Sequence, residues 1–272
     1  MFKTARESLK ITNDNIIIAT PLILFSLISG LYLIFSASGS KAGILFSVFL
    51  FFLMTAAFIS GWFFMITRAV KEPDIQSGQI FSEFPSGVGE YFLSALGIIF
   101  QTVVISVLIM IAAFIAGKKF IGAPGVSYEQ FSQALVNVET MKTFVNSLSQ
   151  EQLIKINNWN MLIFFAMIIN SFILMLYPAV VFFKNKNPFK AFFIALKDTF
   201  GHRFFKNAGI FLLIFVLYML ISLGSVLTNN NVILHFIFTL INFYFATYTG
   251  VLVFNHYYSN FVKIGSNIDT TV

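Results

Sequence analysis

The sequence contains no cysteine and few charged residues. Only 10% of its 272 residues are charged, and three are histidine. The absence of cysteine excludes disulfides, thiolate metal sites and cysteine nucleophiles. A metal site would need carboxylates, and the sequence has no zinc-binding His-Glu-His spacing, no phosphate loop and no nucleophile elbow. We therefore expect no metal site, no cofactor and no enzymatic activity.

Apolar residues, by contrast, make up 58% of the chain, with 37 phenylalanines and a mean hydropathy of +0.86. No soluble globular domain needs so much apolar surface. A helix crosses the hydrocarbon core of a bilayer with about 20 apolar residues. Six runs reach that length without an acidic or basic residue inside: 15–36, 43–67, 92–117, 159–183, 207–227 and 232–256. The sequence predicts an all-α polytopic membrane protein of six transmembrane helices, in a single domain over residues 1–272.

The distribution of lysine and arginine predicts the orientation. Most of the 17 basic residues lie in the terminal segments and in the second and fourth loops. Positively charged loops resist translocation, so we expect both termini in the cytoplasm. Because the basic residues flank the spans, the net charge of +6 indicates attraction to anionic lipids and does not indicate nucleic-acid binding.

The fourth loop contains the segment NPFKAFFIALKDTFGHRFFK, residues 187–206. Asn187 can cap a helix, and Pro188 suits its first turn. At 100° per residue one face collects Phe189, Phe193, Leu196 and Phe200, with Lys190 and Lys197 beside them. This pattern predicts an interfacial amphipathic helix rather than a ligand pocket. We expect lipid-headgroup contacts from Lys186, Lys190, Lys197, Arg203 and Lys206, and a helix-stabilising pair of Asp198 with His202.

Two other segments share this arrangement. FKTARESLKITNDNIIIATPLILF and GQIFSEFPSGVGEYFLSALGIIFQTVV each place a polar, partly amphipathic stretch before an odd-numbered span. This recurrence leads to the hypothesis of a threefold pseudo-repeat, each unit a surface helix followed by two membrane helices. We expect Pro85 and Gly87 to break the surface helix of the second unit.

The loop at residues 118–158 lies on the outside in this topology. Ser127 with Gln130, and Ser149 with Gln152, have capping-box spacing. The sequence predicts two short helices there, near 128–147 and 150–157.

The passage YPAVVFFKNKNPFKAFFIALKDTFGHRFFKNAGIFLLIF ends a span, makes a short polar turn and leads through an amphipathic helix into the next span. It resembles a group of poorly characterised bacterial six-helix membrane proteins, which includes the membrane domain attached to some glycerophosphodiester phosphodiesterases. The resemblance covers the layout of nearly the whole chain. It implies the six-helix architecture and a bacterial cytoplasmic membrane, and it implies no catalytic residue.

Neutral polar residues inside the spans are the remaining candidates for a site. His235, Asn242 and Thr249 are spaced seven apart along the last span, and Gln101 and Asn170 could face them from other spans. Such a stripe can line a cavity or hold helices together, and both readings stay open. Pro178 is expected to kink the fourth span or act as a hinge. We expect His256 to be an interfacial anchor beside Tyr257 and Tyr258.

These features favour a non-catalytic integral-membrane protein that contacts lipids and a partner protein through cytoplasmic surface helices. The alternative is a permease or lipid-moving carrier with a neutral cavity. The spans contain no Asp, Glu, Lys or Arg, which disfavours a carrier coupled to protons or sodium through a membrane carboxylate. An intramembrane lipid-modifying enzyme is the third and least favoured hypothesis.

Overall fold

The structure, a computed structural model, describes residues 2–36, 41–228 and 231–263; the side chains of residues 35, 36, 41, 42, 128, 130, 131 and 138 lie outside the description. In these residues the α-helices are α1 (Phe2–Asp14), α2 (Ala19–Ser36), α3 (Lys41–Lys71), α4 (Ser77–Phe120), α5 (Tyr128–Ala134), α6 (Val138–Ser147), α7 (Gln150–Leu174), α8 (Tyr177–Phe183), α9 (Pro188–Phe200), α10 (Phe204–Thr228) and α11 (Val232–Tyr257). A 3₁₀ turn, Ile16–Ile18, precedes α2, and a π-helical turn, Tyr258–Val262, follows α11. No strand occurs in the described residues.

Six helical segments of the described chain are long and apolar enough to cross a membrane. They are Ile16–Ile34, Gly43–Lys71, Ser77–Phe120, Gln150–Phe183, Phe204–Thr228 and Val232–Val262. Their outward side chains are apolar as well: Leu31 in α2 is 57% exposed, and Leu220 in α10 is 60% exposed. A hydrocarbon surrounding accepts such side chains, and an α-helix satisfies its own backbone hydrogen bonds there. The prediction of an all-α polytopic membrane fold is confirmed.

Helix α4 starts well before the predicted boundary at residue 92. It runs without interruption from Ser77 through Pro85 and Gly87, so the predicted break there is wrong. Gly87 meets α3 so closely that a Cβ atom would lie 2.9 Å from the carbonyl oxygen of Ser60. The lack of a side chain permits this contact, and the exposed Pro85 lies away from it. The free energy gained when α4 packs on α3 therefore exceeds the cost of the backbone hydrogen bond that Pro85 removes.

The fourth span also begins earlier than predicted. Helix α7 starts at Gln150, so the predicted short helix at 150–157 is its first part. Its capping box is confirmed: the Ser149 amide donates to Gln152 Oε1 (2.9 Å), and the Gln152 amide donates to Ser149 Oγ (3.3 Å). The regular helix stops at Leu174, and α8 resumes at Tyr177 with Pro178 in its first turn.

The predicted helix at 128–147 is two helices, α5 and α6. Asn137 separates them by capping α6: its side chain accepts a hydrogen bond from the Thr140 amide, and Thr140 Oγ1 accepts one from the Asn137 amide. An asparagine that bonds the backbone in this way starts a new helix instead of continuing the old one. The predicted Ser127–Gln130 capping box involves a side chain outside the described residues.

The chain divides into two units. Unit 1 comprises residues 1–101 and 173–272, and unit 2 comprises residues 102–172, so the boundaries fall inside α4 and near the end of α7. In unit 1, Ile210 of α10 packs with Tyr248 and Leu252 of α11 in one buried cluster. The Trp62 indole of α3 donates a hydrogen bond to the Ile18 carbonyl oxygen (2.9 Å), which joins α3 to the start of α2.

In unit 2, α4 and α7 approach each other at a glycine. Gly117 lies directly against the Trp159 ring, and the Trp159 indole donates to the Gly122 carbonyl oxygen (2.9 Å). Gly122 and Gly125 have positive φ angles of 79° and 72°, which glycine adopts at little cost, and they reverse the chain after α4.

The three predicted surface segments meet at one end of unit 1, which we call the polar end. It comprises α1, the first turns of α4, residues 184–187, α9, and the end of α11 with its π-helical turn. Hydrogen bonds join Ser77 of α4 to Asp14 (3.2 Å) and Asn255 of α11 to Ser8 of α1 (3.0 Å). The first and third segments are separate helices, whereas the second is continuous with its span. The threefold pseudo-repeat stays a hypothesis.

Candidate functional site

Helix α9 is a distinct helix because its ends are well specified. The Asn187 side chain accepts a hydrogen bond from the Lys190 amide (3.2 Å), and Pro188 occupies the first turn. Gly201 follows the last helical residue, Phe200. The predicted cap, first turn and end of this helix are confirmed.

Helix α9 has a buried face and an exposed face. The buried face consists of Ala191, Phe192, Ala195 and Thr199. On the other face Phe189, Phe193 and Phe200 are 52%, 67% and 53% exposed, and Lys190 and Lys197 beside them are exposed too. Three half-exposed phenylalanines next to two lysines form a surface whose chemistry matches the boundary between lipid tails and headgroups.

The start of α10 extends this surface. Phe205 is 86% exposed, Phe204 is 36% exposed, and Lys206 is exposed. The Arg203 guanidinium lies 5.1 Å from the centre of the Phe261 ring, and its Nε donates to His202 Nε2 (3.1 Å). We call Lys190, Lys197, Arg203, Lys206 and the exposed phenylalanines of α9 and early α10 the basic aromatic surface.

The basic residues between Lys184 and Lys206 fall into two groups. Lys184 pairs with Asp198 (3.1 Å) and Lys186 pairs with Glu90 (2.6 Å). Among the described residues, no carboxylate lies within 4.0 Å of the charged nitrogens of Lys190, Lys197, Arg203 or Lys206. The first group is neutralised by carboxylates of the protein. In the second group Lys190, Lys197 and Lys206 are exposed and free to meet an external anion, whereas one guanidinium nitrogen of Arg203 is buried.

Lys186 was predicted to contact headgroups, and the structure gives its ammonium an internal partner. The hydrogen bond to Glu90 raises the pKa of Lys186 above its usual value, so Lys186 stays protonated through the neutral range. The same nitrogen lies 4.8 Å from the centre of the Tyr91 ring. The Lys186 carbonyl oxygen also accepts a hydrogen bond from Ser94 (2.8 Å), which ties residues 184–187 to α4.

Asp198 joins α9 to α11. One carboxylate oxygen accepts hydrogen bonds from Lys184 (3.1 Å) and from the Tyr257 hydroxyl (2.8 Å). The predicted Asp198–His202 pair is wrong. Helix α9 ends before His202, so the two side chains do not share a helical face. His202 instead accepts the hydrogen bond from Arg203.

His256 is buried between α10 and the π-helical turn, with 2% of its surface exposed, so its side chain does not contact lipid and the predicted role as an anchor is wrong. Its Nε2 lies 2.8 Å from Asn207 Oδ1, and its Nδ1 lies 3.2 Å from Asn260 Nδ2. The Asn207 amide nitrogen donates to the carbonyl oxygens of Asp198 (2.9 Å) and Thr199 (3.0 Å), so its Oδ1 accepts. Hence His256 Nε2 donates, Nδ1 accepts, and the imidazole is neutral.

Sequence reasoning missed this network around His256. Asn207 is fully buried at the start of a span, and its role depends on residues that are distant in the chain. One local signal was present: His256 and Asn260 are four residues apart and share a helical face. The arrangement fastens α9, α10 and α11 together, and every hydrogen-bonding nitrogen of the His256 ring is used within the protein.

The predicted cavity residues are distributed over both units. Asn170, in unit 2, donates to Ser106 Oγ (2.9 Å). Gln101, Asn242 and Thr249 belong to unit 1 and are partly exposed, and His235 is exposed near the start of α11. The Thr249 hydroxyl oxygen is buried without a hydrogen-bond partner in the described residues. A neutral cavity along this stripe stays a prediction, as does a hinge at Pro178.

The described residues contain no group of three or more His, Asp or Glu side chains that could hold a metal ion. At the polar end the described residues form a hydrogen-bonded network inside the protein and a basic aromatic surface outside it.

Comparison with protein-family models, characterised proteins and solved structures finds no match for this chain. The class of protein follows from the fold alone. With six segments able to span a bilayer and a helical architecture, it is an all-α, multi-pass membrane protein.

Proposed function

We propose that this protein is a non-catalytic integral-membrane protein that binds anionic phospholipid headgroups through its basic aromatic surface. One observation supports the proposal most directly. Lys190, Lys197, Arg203 and Lys206 have no carboxylate partner among the described residues, and they adjoin phenylalanines that α9 leaves exposed.

The physical argument combines two contributions. Exposed phenylalanine rings are stabilised when they enter the boundary between headgroups and tails. A lysine or arginine near an anionic leaflet contributes about 1 kcal/mol, and its alkyl chain lets the charge reach the phosphates. Three exposed lysines of this kind, Lys190, Lys197 and Lys206, favour an anionic leaflet over a zwitterionic one.

We place the polar end at the cytoplasmic leaflet of a bacterial cytoplasmic membrane, with both termini in the cytoplasm. The support is the concentration of lysine and arginine in the terminal segments and in the second and fourth loops. The polar end contains α1 and α9, which carry part of this basic charge, so its composition and the proposed orientation agree.

The test reverses two charges on the exposed face of α9. The Lys190→Glu, Lys197→Glu double variant is purified in mild detergent, and the retained phosphatidylglycerol is counted by native mass spectrometry. Removal of two attractive lysines costs about 2 kcal/mol, and the new repulsion adds to it, so we expect at least about a tenfold loss of affinity.

The control is the Lys118→Glu, Lys142→Glu double variant, which changes the net charge equally. Both lysines lie in the loop predicted to be outside. We expect this variant to keep most of the bound phosphatidylglycerol. Equal retention by the wild type and the α9 variant would contradict the proposal.

A further inference from the structure

A groove of about 330 Å³ lies in unit 1 between α2, α3 and the first turns of α4. Leu24 and Phe25 line it from α2, Ala57 and Phe58 from α3, and Phe81 and Phe84 from α4. All of its lining residues are apolar. The basic aromatic surface contributes none of them, so the groove is a separate feature.

The walls of the groove are held by close contacts. Phe25 and Phe58 stack with ring centres 4.3 Å apart, which fixes α2 against α3. Phe84 lies over Gly61, where a Cβ atom would come within 2.7 Å of its ring. The absence of a side chain at Gly61 therefore brings α4 onto α3 and places Phe84 at the end of the groove. Both contacts fix the three helices relative to one another, so the side chains that line the groove do not move together to fill it.

The mouth of the groove is continuous with the lipid-facing surface. Leu24 and Ile28 of α2 are 47% and 52% exposed, and Phe81 of α4 is 41% exposed. Leu24 and Ile28 lie within the Ile16–Ile34 segment, which is able to span the membrane, and Phe81 lies in the first turns of α4 at the polar end. An apolar groove at this position meets lipid tails, because water gains no hydrogen bonds inside it.

The dimensions suit one tail. At about 30 Å³ for a group of the size of a water molecule, 330 Å³ holds roughly ten methylene groups. We propose that the groove binds one acyl chain of a membrane phospholipid as a resident lipid, distinct from the lipids that exchange freely around the spans. The groove makes no demand on the headgroup, so this site does not depend on the anionic-lipid function.

Trp62 provides a reporter for the site. Its ring lies 5.5 Å from that of Phe58, which lines the groove, and it is only 8% exposed. Trp159 is the other tryptophan of the chain, so Trp159→Phe leaves Trp62 as the single indole. Bromine on an acyl chain quenches indole fluorescence only at short range. Freely exchanging lipids meet a buried indole poorly, whereas a chain in the groove lies next to Phe58.

The experiment reconstitutes the Trp159→Phe protein in bilayers of phosphatidylcholine brominated on one chain and then extracts it into lipid-free mild detergent. Extraction dilutes the freely exchanging lipids away, so we expect the quenching of Trp62 to persist, as a resident chain requires. Complete recovery of Trp62 fluorescence on extraction would overturn the proposal. The neutral headgroup separates this result from the anionic-lipid test, so either proposal can fail alone.

A groove-filling variant sharpens the assignment. In the Trp159→Phe background, Ala57→Phe places a ring in the groove, and the quenching that persists after extraction is expected to disappear. The matched control is Ala112→Phe, which adds the same ring at an exposed position of α4. Loss of the persistent quenching in both variants, or in neither, would contradict a site in the groove. Helical circular dichroism shows whether each variant is folded, and if Ala57→Phe is not, the extraction experiment on the unfilled groove tests the proposal by itself.

If the groove instead receives a side chain from a second copy or a partner protein, native mass spectrometry of the wild type shows an added chain that Ala57→Phe removes. That result also counts against the acyl-chain proposal.

Discussion

Polar side chains at the polar end have two different roles, and their partners distinguish them. Asp198 accepts hydrogen bonds from Lys184 and Tyr257, which lie in two other segments of unit 1. The buried His256 bonds to Asn207. Lys190 and Lys197 face outward beside exposed phenylalanines. Residues of the first kind hold helices together, and those of the second kind are available for lipid.

The role of Asn207 is testable through stability. Asn207→Leu leaves His256 Nε2 and two carbonyl oxygens without their partner. A buried polar group that loses its hydrogen bond costs about 1–3 kcal/mol, so we expect the free energy of unfolding to fall by about that amount. The measurement is denaturant unfolding in detergent micelles.

Asn146→Leu is the control, because Asn146 is exposed on α6. We expect its stability to remain within about 0.5 kcal/mol of the wild type. Equal losses in the two variants would show that Asn207 does not act through the buried network. Retained lipid at the basic aromatic surface is a separate readout of the fold of α9.

The exposed face of α9 was predictable from residue spacing, because 100° per residue places Phe189, Phe193 and Phe200 together whatever surrounds the helix. The partner of Asp198 was not. Helical spacing suggested His202, but the helix ends first, and the actual partners come from α11 and from the turn before α9.

At the level of elements, α4 contacts the first residue of α9. Gly97 of α4 meets the Pro188 ring so closely that a Cβ atom would overlap it. Because Pro188 opens α9, this contact sets where the amphipathic helix begins. The turn before it is also fixed to α4, through Lys186 and Ser94.

Two alanine substitutions in α4 test this contact, because we expect one to lower the stability of the protein and the other to raise it. Gly97→Ala forces the Pro188 ring to move, and such overpacking costs about 1–3 kcal/mol. Gly89→Ala, in the same helix, meets open space and should gain up to about 1 kcal/mol from helix propensity.

Thermal unfolding of both variants under the same conditions gives the comparison. A Gly97→Ala protein as stable as Gly89→Ala would mean that α9 does not rest on α4 at this point. Loss of bound phosphatidylglycerol in Gly97→Ala alone would further connect the contact to the position of the basic aromatic surface.

Element boundaries show where local signals were sufficient. Asn187 and Gly201 bound α9 as predicted, because capping is a local interaction. Pro85 was expected to end a helix, yet α4 passes through it, since close packing on α3 at Gly87 is a tertiary effect. A helix end predicted from local residues is reliable only where packing against a neighbouring helix does not favour continuation of the helix.

At the level of the whole molecule, orientation is the most accessible prediction. The chain has no cysteine, so each introduced cysteine is a unique label. With Lys197→Cys in α9 and Glu139→Cys in α6, a membrane-impermeant maleimide on intact cells should label only Glu139→Cys. Lys197→Cys should react after the membrane is permeabilised, because we expect the polar end to face the cytoplasm.

Both cysteines replace exposed side chains, so denatured samples should label equally and serve as the control. Labelling of Lys197→Cys on intact cells, with protection of Glu139→Cys, would reverse the proposed orientation. The basic aromatic surface would then face the outer leaflet, and the anionic-lipid proposal would have to be applied there.

The sequence by itself determined that this chain is an all-α, multi-pass membrane protein, and it located the amphipathic helix α9. Both depend on hydropathy and helical spacing, which are properties of contiguous residues. Only the tertiary structure decided that His256 is buried, that Lys186 has an internal carboxylate, and that three helices enclose an apolar groove. Each of these depends on contacts between residues that are far apart in the chain, and the spacing of residues within one segment does not indicate such contacts.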